Sequence, residues 1–226
     1  PTHLPFRFPV QDIYKFDERR IISGRVESGR VNVGDQIVFS PSNKVGVIKT
    51  IEAWSVENQP IEAKASQSIG FTLEEQVFVE RGDVATFKSE LPIVSTTFDV
   101  NVFWMGKRHF EKGRMYTLKL TTQEVPCEIV EFKKVVDAST LETLVGQEFL
   151  AKNDVAEVTL RTFTPVVFDL FGSVPTTGRF VLVDGYDVCG GGIITTYTPS
   201  KVDRLRDEVR HRDFHWLKSD IKLEER

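Results

Sequence analysis

Hydrophobic and polar residues alternate in short runs along most of this chain, and turn residues punctuate the runs. In the first part, IISGRVESGRVNVGDQIVFSPSNKVGVIKTIEAW reads as a series of strands separated by turns at Ser28–Gly29, Gly34–Asp35 and Ser42–Asn43. Turns set so close together predict antiparallel neighbours, because a tight reversal leaves no room for a crossover. Ile69 to Leu73, a turn at Arg81-Gly82-Asp83, and Val84 to Phe87 extend the series. Six or so short strands are enough to close a small barrel.

A second block begins near LPIVS, residues 91–95. Phe98, Val100, Val102 and Trp104 alternate with polar residues and share one face of a strand. Tyr116, Leu118 and Leu120 repeat the pattern, followed by runs at Cys127 to Val136, Ala156 to Phe163, Arg179 to Asp184 and Gly191 to Tyr197. Neither block alternates strands with long amphipathic helices, so a parallel sheet with a nucleotide crevice is not expected. The predicted fold is all-β: two antiparallel β-barrels over 1–91 and 92–197, then a helical tail over 198–226. Ser200 is a candidate cap for that helix, and Val202, Leu205 and Val209 recur at helical spacing. The closing stretch HRDFHWLKSDIKLEER is either a solubilising terminus or a connection to further chain, with Phe214 and Trp216 as its candidate docking residues.

Composition agrees with strands. Seventeen Phe stand against two Met, and aromatic and branched side chains suit a pleated surface. Hydrophobic residues at 40% and charged residues at 27% describe a chain able to bury a core. The net charge of −4 supplies no overall basic field for nucleic acid, although a local basic patch is compatible with it. The amino-terminal PTHLPFRFPV has neither the basic nor the apolar region of a secretory signal, and no apolar run approaches membrane-spanning length. A cytoplasmic location is expected, in which Cys127 and Cys189 would be buried free thiols.

Candidate chemistry is sparse. GxxxxGK[ST] does not occur in the sequence, so no phosphate loop of that type is expected here. In CGGGII, Cys189 to Ile194, consecutive glycines could let a phosphate approach the backbone. They lie between strands and open no helix, which favours tight packing or a bulge. His211 and His215 have metal-friendly spacing but lack an HExxH glutamate and a third ligand nearby. Glu74, Glu75 and Glu80, and the Glu224–Glu225 pair, read as solvated charge. The many aromatics could stack on bases, but their alternation points them into cores. No catalytic, cofactor-binding or metal-binding residue is assigned.

The run RRIISGRVESGRVNVGDQIVF resembles the second domain of elongation factor Tu-type GTPases through G-R-V-E-x-G-x-V-x-V-G-D, Gly24 to Asp35, and VERGD at Val79 to Asp83 resembles the end of that barrel. TTGRFVLVDGYDVCGGGII is similar to the last strands of the third domain, with Cys189-Gly190-Gly191-Gly192 where a V-G-A-G run is more usual. Within the superfamily, FRFPVQ (Phe6 to Gln11), Trp104-Met105, Gly113-Arg114 with Tyr116, Val125-Pro126, VDASTLE (Val136 to Glu142) and LRTFTPVVFD resemble the large, GTP-hydrolysing subunit of sulfate adenylyltransferase, including its NodQ-type fusions. The resemblance spans about residues 4 to 197.

This resemblance implies barrels of the translation-factor domain 2 and domain 3 type, acting as non-catalytic scaffold and interface. It implies a parent enzyme that makes adenylylsulfate from ATP and sulfate, with GTP hydrolysis, GTP and Mg in a GTPase domain that would precede residue 1. The implied partners are that domain and a small adenylyltransferase subunit; neither membrane nor nucleic acid is expected. HWLKSDIKLEER resembles the lead-in to an adenylylsulfate kinase domain, which would make the parent bifunctional. The alternative is a pair of tRNA-binding barrels from a translation-factor GTPase.

Overall fold

The computed structural model describes residues 2–199, apart from 17, 18, 55, 56, 139, 141 and 145. The expected helix from Ser200, the His211–His215 and Glu224–Glu225 pairs, and Phe214 and Trp216 lie outside the described residues.

Eight strands make up the first half: β1 (Phe8–Phe16), β2 (Arg19–Arg25), β3 (Arg30–Asn32), β4 (Gln36–Ser40), β5 (Lys44–Glu52), β6 (Glu62–Lys64), β7 (Ser68–Leu73) and β8 (Val84–Thr86). Six of them close an antiparallel barrel in the order β1-β2-β7-β5-β4-β8. The three predicted turns each carry a residue with positive φ, namely Gly29 at 74°, Gly34 at 90° and Asn43 at 57°.

Pairing by turn proximity holds only in part. The short β3 does not join its sequence neighbours but pairs with β6, Asn32 with Glu62 and Arg30 with Lys64, in a separate two-stranded sheet. Its place beside β2 is taken by β7, with Ile22 opposite Phe71. Local turn chemistry reverses the chain; burial of the β2 and β7 core faces selects the partner.

The second barrel has the order β11-β12-β14-β9-β16-β15, built from β9 (Ile93–Trp104), β11 (Tyr116–Leu120), β12 (Gln123–Val136), β14 (Val155–Phe168), β15 (Arg179–Asp184) and β16 (Asp187–Tyr197). Two short strands, β10 (Phe110–Glu111) and β13 (Phe149–Leu150), pair beside it. Strand β16 begins at Asp187, earlier than the expected Gly191, because Asp187 and Val188 already pair with Asp184 and Val183 across the tight turn at Gly185, and Gly190 to Gly192 continue that ladder.

Each barrel has its own core. Phe6, Phe8, Phe39 and Phe71 dominate the first, with the Phe8 and Phe71 rings 4.9 Å apart. Phe98, Val100, Val102 and Trp104 are fully buried in the second, as their alternation predicts. Trp104 stacks on Phe110 at 4.8 Å and meets Tyr116 edge-on at 5.7 Å, while its indole N–H donates to the Arg108 carbonyl at 2.7 Å. Each such buried ring contributes roughly 1.5–3 kcal/mol from area alone. Among the described residues the helical structure is a single 3₁₀ turn, Lys88–Glu90, in the link between barrels, and no helix is long and apolar enough to cross a membrane.

Candidate functional site at the junction of the barrels

The two barrels meet around one buried ion pair. Alternation in the run Phe6-Arg7-Phe8 sends both rings into the first core, so Arg7 must face away from it. That outward face is covered by the second barrel, leaving Arg7 3% exposed. Its Nε donates to Asp169 Oδ2 and its Nη2 to Asp169 Oδ1, both at 2.8 Å. Its Nη1 donates to the carbonyls of Phe6 (2.9 Å) and Glu90 (2.8 Å). One guanidinium thus ties the start of the first barrel, the link and the second barrel, using the planar fork that only arginine offers.

Both partners are held in place by their own loops. The Arg7 amide donates to the Ser28 carbonyl, and the Glu27 amide donates back to the Arg7 carbonyl. Gly29 allows this approach, since a Cβ there would lie 2.6 Å from Phe6 Cα. Opposite, Thr177 donates its hydroxyl to Asp169 Oδ2 at 2.7 Å. Gln123 adds a second support: its amide exchanges hydrogen bonds with the Val167 backbone at 2.7 and 2.8 Å. Gly82 of the first barrel lies against the same side chain, where a Cβ would sit 3.5 Å from Gln123 Cγ.

Hollows open on both barrels. One of about 540 Å³ lies where the barrels meet, lined by Glu27 of the first and Lys119, Thr176 and Arg179 of the second. Another of about 540 Å³ lies at the far end of the second barrel, between the Met105–Arg108 loop and the β15–β16 hairpin. A third of about 390 Å³ in the first barrel is bordered by Tyr14, Ser23, Trp54 and Ser68.

The residues singled out from sequence fall as follows. The glycines of CGGGII are packing residues: a Cβ on Gly192 would overlap the Asn101 carbonyl oxygen, and one on Gly190 would reach Phe103 O and Trp104 Cε3 at 2.8 Å. Cys127 and Cys189 are buried and free, and burial, with a smaller contribution from Glu128, pushes the Cys127 thiol up to about 12. Glu74, Glu75 and Glu80 are exposed. Among the described residues no three His, Cys, Asp or Glu side chains are grouped as a metal would require. The Arg7–Asp169 pair escaped the sequence reading. Its one signal is a charged residue locked between two core phenylalanines, and nothing local says what covers the opposite face.

Residues 97–195 match the family described as GTP-eEF1A C-terminal domain-like. Elongation factor 1-alpha of Aeropyrum pernix is 32% identical over 209 residues, 90% of this chain and 47% of that protein. Sulfate adenylyltransferase subunit 1 of Francisella tularensis subsp. novicida is 34% identical over 180 residues, 79% of this chain and 38% of that one. The barrels are GTPase-associated barrel domains. Bifunctional enzyme NodQ of a Rhizobium species is 28% identical across 97% of this chain and 32% of its own length. The fold likewise matches a solved structure of sup35 complexed with GDP, with TM-score 0.79 and 18% identity, covering 87% of this chain and 48% of that one. The chain therefore spans about half the length, or less, of these relatives. Translation factors and sulfate adenylyltransferase subunits are thus both relatives of these barrels.

Proposed function

We propose that the two barrels serve as the non-catalytic scaffold and interface of a GTP-dependent sulfate adenylyltransferase large subunit. The observation that carries this reading is the Arg7–Asp169 clasp, which couples both barrels and their link through one buried group. Two barrels joined in this way can transmit a nucleotide-dependent displacement as one body. In this proposal GTP and Mg bind a separate GTPase domain, adenylyl transfer belongs to a small subunit, and the parent is cytoplasmic. The similarity to NodQ over nearly the whole chain favours a bifunctional parent, with residues 198–226 leading toward an adenylylsulfate kinase domain.

A second reading, tRNA-binding barrels of a translation factor, is favoured by the similarity to elongation factor 1-alpha and by Lys107 and Arg108 at the far hollow. Binding measurements with the purified chain separate the two. The first reading expects association with the small sulfate adenylyltransferase subunit, no GTP hydrolysis by the chain itself, and no tRNA complex at physiological salt. A tRNA complex whose affinity falls steeply with salt, without small-subunit association, would overturn it, since phosphate contacts exchange with counterions.

A further inference from the structure

We propose that the hollow where the barrels meet is a binding site for a small tetrahedral oxyanion, of the sulfate or phosphate class. Strand register places its cations. Lys119 stands opposite Val181, and Arg179 lies two residues before Val181 on the same outward face of β15. Side chains on such a diagonal start about 7–8 Å apart and can converge on one ligand. On the other side of β15, Gly191 is opposite Val181 and adds no side chain there. The glycine run supplies no free donor. Its backbone groups belong to the ladders with β15 and β9, so the donors have to be side chains.

Two groups at the hollow are open to an acceptor. The Arg179 side chain, exposed at the rim of the hollow of about 540 Å³, has no hydrogen bond or ion pair with any described residue and is free to turn toward a ligand. Thr176 Oγ1, in the same lining, is buried with no hydrogen-bond partner among the described residues. A buried hydroxyl without a partner is uncommon in folded proteins because its desolvation is not recovered. An oxyanion would satisfy both groups at once. Lys119 is already shared with Glu124 at 3.1 Å, so Arg179 is the principal anchor.

The donors also select among anions. Guanidinium, hydroxyl and ammonium approach from β15, the loop before it and β11, an arrangement that suits an acceptor with oxygens in several directions. A planar carboxylate would occupy the arginine fork and leave the hydroxyl unused. Glu27, from the first barrel, lines the opposite wall and its carboxylate is likewise without a partner among the described residues. It opposes any anion, and that gives the site a signed test.

The experiment is a titration of the full chain with sodium sulfate, phosphate or acetate at constant ionic strength, read from the nitrogen-bound proton signals of the Arg179 side chain and the Gly192 amide. Saturable shifts are expected with sulfate and phosphate. Arg179→Gln should weaken binding about tenfold and Thr176→Val about threefold, while Glu27→Gln should tighten it about threefold. Arg161→Gln, at an exposed arginine paired with Glu128 elsewhere on the barrel, should leave it unchanged. Shifts that never saturate, saturation insensitive to Arg179→Gln, or acetate binding as tightly as sulfate would each overturn the proposal.

Discussion

Cys127 shows how far one residue's chemistry is set by its surroundings. It faces the core of the second barrel opposite Tyr116, where burial holds the thiol neutral and raises it from 9.0 to about 12. Below pH 9 the thiol is protonated whether the chain is folded or not, so it adds nothing to pH dependence. Above pH 9 the unfolded thiol ionises and the folded one does not, so stability falls as pH rises toward 12, by about 1.4 kcal/mol per unit. Cys127→Ala removes that slope while leaving a small cavity. Urea denaturation of both proteins from pH 8 to 11 should therefore show the variant's deficit narrowing with pH; a constant deficit would refute the assignment. From sequence the residue could be read as a free thiol within an alternating run, but its neutrality at high pH follows only from the packing around it.

At the scale of the element, glycine has two unrelated jobs here, and sequence spelling does not distinguish them. Gly34 turns the chain at φ 90° with open space around its Cα, so Gly34→Ala incurs backbone strain alone, about 1–2 kcal/mol. Gly192 has an ordinary strand conformation but no room, with the Asn101 carbonyl and the Phe180 ring against it. Gly192→Ala forces both away and should cost about 3 kcal/mol. Chemical denaturation of the two variants side by side tests that order. The turns, the alternation and the boundaries of β15 were legible because they depend on residues a few positions apart. The partner of β3 and the early start of β16 were not, because strand pairing is decided by surfaces contributed from elsewhere in the chain.

For the whole molecule, the decisive interaction is the one joining the barrels. Arg7 and Asp169 are separated by most of the chain yet form a two-pronged pair at 2.8 Å in a water-poor junction. Removing either partner strands the other, so Arg7→Ala and Asp169→Ala should each destabilise by about 3–5 kcal/mol, with the double variant costing less than their sum. Arg7→Lys should not restore the native state, since an ammonium cannot supply the fork or reach both carbonyls as well. In either single variant the barrels should unfold in separate steps, with Trp104 fluorescence, isolated by Trp54→Phe and Trp216→Phe, reporting the second barrel and circular dichroism reporting both.

What the sequence determined by itself is the class and count of its units: alternation with period two, positive-φ residues at the reversals, and aromatic core positions are local properties, and they were enough for two all-β barrels. Tertiary structure alone decided which strands pair across a distance, that the outward face of FRF is buried, and that Glu27, Lys119, Thr176 and Arg179 border one hollow. The physical reason is the same in each case. A residue's periodicity tells which way it points, whereas what it meets there depends on surfaces brought together from remote parts of the chain.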